Sequence, residues 1–360
     1  MRFEDILEIK NGRNQKAVEN PNGKYPIYGS GGIMGYADDY ICDAQTVIVG
    51  RKGSINNPIF VDEPFWNVDT AFGLVANREI ILPRYLYYFC KRFDFERLNK
   101  AVTIPSLTKS DLLKIEIDIP DLAIQRHIVD LLIGVERLIA YRKQQLTELD
   151  NLIKPRFVEM FGPYPINPKG WKTGTIRDVV ADVRYGSSRP AVDGGKYPYL
   201  RMNNITYGGE LDLSDVKRID IPDNELEKCT VRRGDVLFNR TNSKELVGKT
   251  CVYDRDEMMV LAGFVIRVRV NDLVLPEFLS AFLNTDFSKK TLLGMCKAAI
   301  GQANINAQEM QSIDIYIPPI ELQIEFVQFK NQVDKSKVVV QKALDEAQTL
   351  FDSLMQKYFG

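Results

Sequence analysis

Four loops concentrate the side chains that hydrogen-bond to nucleic acid. They are Tyr28-Gly29-Ser30-Gly31-Gly32, Gly50-Arg51-Lys52-Gly53-Ser54, Arg201-Met202-Asn203-Asn204 and Asn239-Arg240-Thr241-Asn242-Ser243-Lys244. Arginine and lysine match guanine edges or phosphate, asparagine matches adenine, and serine hydroxyls and glycine-turn amides suit phosphate oxygens. The DNA-binding candidates are therefore Tyr28, Ser30, Gly31, Arg51, Lys52, Ser54, Arg201, Asn203, Asn204, Asn239, Arg240, Thr241, Asn242, Ser243 and Lys244, together with Gln302 and Asn304. These residue types also build ordinary turns. Two such loops at equivalent places in a repeated chain are what favour the nucleic-acid reading. The alternating run 264–270 puts Arg267 and Arg269 on one strand face, which suits DNA or plain solvent.

Catalytic patterns are missing. No Asn/Asp-Pro-Pro-aromatic motif of a base aminomethyltransferase occurs; Asn57-Pro58-Ile59 lacks the second proline and the aromatic. Pro120-Asp121 and Pro222-Asp223 are not followed by the acidic-x-Lys pattern of many restriction nucleases. There is no Gly-x-x-x-x-Gly-Lys-Ser/Thr loop for ATP. Gly29-Ser30-Gly31-Gly32 lacks the acidic residue and βαβ context of a dinucleotide fingerprint. His127, the single histidine, stands beside an apolar stripe with no nucleophile or carboxylate partner for acid–base work. No metal site and no cofactor of its own are expected for this chain.

The chain has 360 residues, enough for two or three domains, with 45% hydrophobic and 26% charged residues, as in globular proteins. The five cysteines are scattered and never spaced Cys-x-x-Cys, which points to a reducing cytoplasm rather than a disulfide framework or zinc site. No apolar run approaches the roughly 18 residues of a membrane span, and the start, Met1-Arg2-Phe3-Glu4-Asp5, does not read as a signal peptide. With a net charge of −1, DNA binding requires locally grouped basic residues or a partner that supplies phosphate contacts.

The elements that must position the loops emerge from an internal repeat. Residues 104–162 align with 302–360 without a gap, at an offset of 198. In each copy an alternating strand pattern ends at proline, Ile115-Glu116-Ile117-Asp118-Ile119-Pro120 and Ile313-Asp314-Ile315-Tyr316-Ile317-Pro318. The period then turns helical for about 40 residues, or about 60 Å. Each helix closes on an aromatic followed by glycine, Phe161-Gly162 and Phe359-Gly360. Apolar spacings of three and four are those of a coiled-coil seam. They predict that Leu131, Val135, Leu138, Leu149 and Leu152 pack against Phe329, Val333, Val340, Ala347 and Leu350. The simpler alternative is that each amphipathic helix packs on its own domain. Polar positions recur as well, Gln125 with Gln323 and Glu148 with Glu346, and would give two similar outward surfaces. The prolines of Gly162-Pro163-Tyr164-Pro165-Ile166-Asn167-Pro168 mark a linker.

At these residues the chain resembles the specificity subunits of type I restriction–modification systems. Pro168-Lys169-Gly170-Trp171 followed by Ile176-Arg177-Asp178-Val179 is similar to the opening of that family's target-recognition domain. Arg233-Gly234-Asp235-Val236-Leu237-Phe238-Asn239-Arg240-Thr241 resembles its internal strand and loop. Asn304-Ile305-Asn306, with Ile315-Tyr316-Ile317-Pro318-Pro319-Ile320-Glu321-Leu322-Gln323, resembles the exit into its spacer helix. Gly35-Tyr36, Gly50-Arg51-Lys52-Gly53-Ser54, Phe65-Trp66 and Asp69-Thr70 resemble a recurring variant of the domain. Two departures stand out: the first domain lacks the proline-glycine-tryptophan entry, and Ile104-Pro105-Ser106-Leu107-Thr108 lacks the glycine and asparagines of the second exit.

The resemblance implies an α+β fold: two strand-rich target-recognition domains with pseudo-two-fold symmetry, separated by two long antiparallel helices forming a coiled coil. The expected divisions are 1–119 and 163–317 for the domains, and 120–162 and 318–360 for the helices. It implies a non-catalytic subunit that directs partners to a bipartite, asymmetric target in double-stranded DNA. The implied partners are two methyltransferase subunits and further restriction subunits, which carry S-adenosylmethionine, ATP and magnesium. A stand-alone DNA modification enzyme and a two-headed coiled-coil protein adaptor are the competing classes.

Overall fold

The computed structural model describes residues 1–99, 103–296 and 303–360. The chain forms two compact units, Met1–Lys143 with Gln341–Gly360, and Gln144–Val340. Both long helices cross from one unit to the other, so each unit holds a strand-rich domain and part of each helix.

In the first unit, strands β1 (Leu7–Asn11), β4 (Thr46–Gly50), β5 (Ile59–Val61) and β7 (Ala71–Ala76) form an antiparallel sheet in the order β1-β7-β4-β5. Every residue of β4 is buried. Val47 and Val49 enter the main core with Phe3, Ile9, Phe72 and Leu74, whereas Ile48 joins Cys42, Val61 and Phe65. That two-sided burial explains its unbroken β-branched run. A second sheet, β3-β2-β6, uses β2 (Tyr25–Gly29), β3 (Gly32–Ala37) and β6 (Trp66–Asn67). Pro83 opens the helix Pro83–Arg92, where a missing backbone donor costs nothing.

The second unit repeats this plan. Its antiparallel sheet runs β14-β12-β16-β8, from β8 (Val180–Tyr185), β12 (Val236–Asn239), β14 (Thr250–Val252) and β16 (Val265–Val270). A mixed sheet runs β10-β9-β15-β11, from β9 (Tyr197–Leu200), β10 (Lys217–Ile219), β11 (Thr230–Val231) and β15 (Met259–Leu261). Its β9–β15 pairing is parallel, as is β2–β6 in the first unit. A ribbon pairs β13 (Thr241–Asn242) with β17 (Ala303–Asn304).

The long helices span Leu122–Phe161 and Ile320–Phe359. In the first unit Tyr88 donates to Glu136 at 2.7 Å and meets Phe351 edge-on at 6.4 Å, while Tyr85 meets Phe359 at 4.9 Å. In the second, Phe157 meets Phe326 at 5.3 Å and Lys337 pairs with Asp150 at 2.5 Å. In the second unit these pairs run in opposite directions along the two helices; in the first, Gln125 and Phe359 lie at Leu82 and Tyr85, and Glu136 and Phe351 further on at Tyr88, so the helices are antiparallel in each unit. Of the seam residues expected from the sequence, Val135, Val333 and Ala347 are buried, and Leu131, Leu149, Phe329 and Val340 are half-buried. Leu138, Leu152 and Leu350 are exposed instead. Burial falls on Ile128, Leu132, Val135 and Ile139 with Ala347, Phe351 and Met355. The helices carry two adjacent apolar rows, about 100° apart per residue of offset, and packing takes only one.

The proline-rich segment is tied down rather than loose. Gly162 is left-handed at φ 89°, and a Cβ there would lie 2.8 Å from Pro168. The Trp171 indole N–H donates to the Phe161 carbonyl at 2.9 Å.

Candidate nucleic-acid interface

In the first unit the loop 50–54 leaves β4 under tight backbone control. A Cβ on Gly50 would lie 2.3 Å from the Ser54 carbonyl oxygen and 3.1 Å from Ser30 Cβ. The Arg51 N–H donates to Thr70 O at 2.7 Å, and the Arg51 carbonyl accepts from Leu107 N at 2.9 Å. Lys52 forms an isolated bridge with Ser106. The backbone is thus committed to the protein while the side chains of Arg51, Lys52 and Ser54 stay exposed. Ser30 packs on this loop, so the hairpin carrying Tyr28, Ser30 and Gly31 is brought beside the basic residues. Tyr28 itself is half-buried, edge-on to Phe65 at 5.4 Å, and burial raises its phenol pKa.

The second unit holds Arg240 in the same way. Its N–H donates to Phe264 O at 3.0 Å and its carbonyl accepts from Ile305 N at 2.9 Å. Thr241 pairs with Asn304. Ile305 is Leu107 plus the repeat offset of 198, and Asn304 is Ser106 plus 198. Arg51 and Arg240 are therefore equivalent positions, and the two exit loops correspond in backbone pairing despite their different composition. Arg240 sits 4.9 Å from the centroid of Tyr185, a cation–π distance. The Tyr185 hydroxyl accepts from Ala307 N at 2.9 Å, which fixes the ring that orients the guanidinium. Arg51 lies less closely over Phe72, at 5.8 Å.

Several sequence candidates are structural. The Arg201 guanidinium pairs with Asp215 at 2.7 Å. Asn204 is buried, accepting from Arg201 N at 2.8 Å and donating to Asp212 O at 2.8 Å and Asp215 O at 3.1 Å. Asn239 is buried, and its Oδ1 accepts from Thr241 N at 3.2 Å. Thr241 is buried beneath Asn304. These asparagines close turns from inside, the role that competes with base contact for the same side chain. Asn203, Lys244 and Asn304 are exposed, and Asn242 and Ser243 half-buried. Gln302 lies outside the described residues.

Arg267 is buried and Arg269 half-buried, and both commit their guanidinium groups to carboxylates. Arg267 is 3% exposed, with Nη2 donating to Asp182 at 2.7 Å and Nη1 to Thr230 O at 2.6 Å. Arg269 donates to the buried Asp235 at 2.8 Å. Burial raises the Asp182 carboxyl pKa, but Arg267 and Arg184 outweigh it and leave it below the ordinary value. The alternating pattern gave no sign that both faces of this strand are covered.

Two lysines absent from the sequence candidates hold the end of the Arg240 loop. Lys249 Nζ donates to Met202 O at 2.9 Å, and Lys289 Nζ to Gly248 O at 2.7 Å. Neither stands in a motif; only tertiary placement shows them. Among the described residues no group of three or more histidine, cysteine, aspartate and glutamate side chains is placed to hold a metal ion. Nor is any described helix long and apolar enough to cross a membrane.

The family described as type I restriction modification DNA specificity domain matches residues 1–151 and 168–347. The chain is 23% identical over 335 residues to the type I restriction enzyme EcoKI specificity subunit of Escherichia coli K12, covering 86% of this chain and 72% of that protein. It is 22% identical over 328 residues to the StySPI specificity subunit of Salmonella potsdam, covering 85% and 70%. The crystal structure of a type I restriction–modification S subunit from M. genitalium superposes with a TM-score of 0.60 at 16% identity, covering 100% of this chain and 95% of that one. A chain from a structural study of type I assembly and conformational transition gives 0.64 at 18% identity, covering 100% and 96%. At these identities the superpositions establish a shared fold.

Proposed function

The chain belongs to the family of type I restriction–modification DNA specificity subunits, and from that premise we propose that it is the non-catalytic subunit that reads a bipartite, asymmetric sequence in double-stranded DNA. Each unit reads one half-site. The observation that carries this is the identical backbone mounting of Arg51 and Arg240 in loops of unlike composition. A shared mounting starts both arginines from the same backbone position, Arg51 exposed and Arg240 half-buried against Tyr185, and unlike neighbours select different bases. Methylation and cleavage belong to partner subunits, which bring S-adenosylmethionine, ATP and magnesium.

Two copies of a methyltransferase subunit are the proposed partners, one per unit. The first unit exposes Tyr141 and Leu350 on its helices, and the second exposes Val339 and Leu152. Tyr141 and Val339, and Leu152 and Leu350, are equivalent positions at the repeat offset of 198. Gln125 and Gln323 do not contribute to such a surface, because both are fully buried. Methylome sequencing of cells with and without the chain tests the function. A bipartite methylated motif present only with the chain is expected; an unchanged methylome contradicts the proposal.

A further inference from the structure

Ile33 and Met34 are adjacent apolar residues, exposed at 56% and 61% on β3. A regular strand sends adjacent side chains to opposite faces. Here the register shifts: Ile27 pairs with Gly35 and Tyr28 with Ile33, which leaves Met34 without a partner. Such a bulge re-aims the unpaired side chain. β3 is the edge of its sheet. Met34 lies along Gly29, where an added Cβ would be 2.6 Å from its sulfur. The glycines at 29, 31, 32 and 35 keep the ribbon thin around the pair.

This apolar tip is continuous with the basic loop. The Cβ of Ser30, at the turn of the ribbon, lies 3.1 Å from where a Gly50 Cβ would stand, and its hydroxyl oxygen lies 3.7 Å from where a Gly53 Cβ would stand. Arg51 and Lys52 are exposed on that loop. The second unit is built otherwise: its β9 and β10 are joined by the long segment 201–216 instead of a glycine turn. A two-stranded ribbon fits the DNA major groove, and the apolar group displayed there is the thymine 5-methyl.

Resting on the DNA-reading function above, we propose that the β2–β3 ribbon enters the major groove of the first unit's half-site. There Met34, with Ile33, reads the methyl group of one thymine. Arg51 supplies the neighbouring polar contact.

The test uses the chain assembled with its methyltransferase subunits and duplexes carrying the motif taken from the methylome. Each thymine of the first unit's half-site is replaced in turn by uracil, which lacks only the methyl. One position should weaken binding by roughly fourfold, the scale of a single buried methyl group. The Ile33→Ala/Met34→Ala variant should show that loss on the thymine duplex and none further on uracil. Met34→Leu should keep the discrimination. The proposal is overturned if the half-site has no specified thymine, if no uracil position matters, or if the double variant still discriminates. It is also overturned if that variant weakens subunit assembly while DNA affinity holds. Loss of all sequence-specific binding by the native assembly would instead overturn the DNA-reading function itself.

Discussion

The side-chain carbonyl of Gln125 accepts a hydrogen bond from the backbone N–H of Leu82 at 2.8 Å, and Gln323 makes the same bond to Leu275 at 2.8 Å. The Gln125 amide donates to Ile80 O and Pro120 O, both at 2.9 Å. The Gln323 amide donates to Leu273 O at 3.1 Å and Pro318 O at 2.9 Å. Each glutamine thus fastens the start of a long helix to the domain before it. Gln125→Ala leaves one buried donor and two acceptors without partners, and should cost about 2–4 kcal/mol. Hydrogen exchange should show lost protection at Leu82 but not at Leu275, with the converse for Gln323→Ala. Unchanged protection at both amides would remove the glutamines from this role.

The equivalent arginines should act on opposite half-sites. Arg51→Ala and Arg240→Ala are each expected to lose about 1–3 kcal/mol of discrimination at one base position. Binding to duplexes mutated base by base is the readout. Uniform weakening with a salt slope lowered by about one would reassign them to phosphate.

Much of this was legible in the residues. The switch of period at Pro120 and Pro318 marked the long helices, which begin at Leu122 and Ile320. Arg51 and Arg240 were recognisable as polar loop residues of a repeated chain. The structural role of Gln125 and Gln323 was not, because polarity alone suggests solvent and only the turn at Leu82 or Leu275 supplies their partners. Arg267 and Arg269 misled for the same reason: a period of two reports alternation, not what covers each face. The exposure of Ile33 and Met34 is not legible in the sequence, because two apolar neighbours in a glycine-rich stretch fit no period and the bulge that exposes both exists only in the pairing register.

Lys289 gives the second unit a pH dependence. Burial, then the nearby charges of Lys154 and Lys249, pushes its ammonium pKa down to about 7. Between that value and the ordinary lysine value of about 10.4, the folded amine is neutral while the unfolded chain binds the proton. The unfolded state then holds more protons, so stability should rise as pH climbs from about 7 towards 10 and level off below about 7. Lys289→Met should flatten that rise in denaturant titrations taken at several pH values. A slope unchanged by the substitution would contradict this origin.

Native mass spectrometry should find two methyltransferase subunits on one chain. Tyr141→Asp combined with Leu350→Asp places charges on the first unit's exposed apolar positions and should leave one copy bound. A one-to-one assembly of the native chain at saturating partner would contradict the two-surface account.

The central claim is that two unlike units read the two half-sites of one target, and its sharpest consequence is that the gap in the DNA follows the length of the long helices that run through both units. Four residues inserted after Leu149, just before the Asp150–Lys337 pair, lengthen the first helix by roughly 6 Å. That is a little under two base-pair steps of about 3.4 Å. The insertion also rotates the following segment by about 40°, which should lower affinity. Methylome sequencing of this variant is the decisive measurement. Both half-site sequences should persist while the gap between them grows by one or two base pairs; an altered half-site with an unchanged gap would contradict the account.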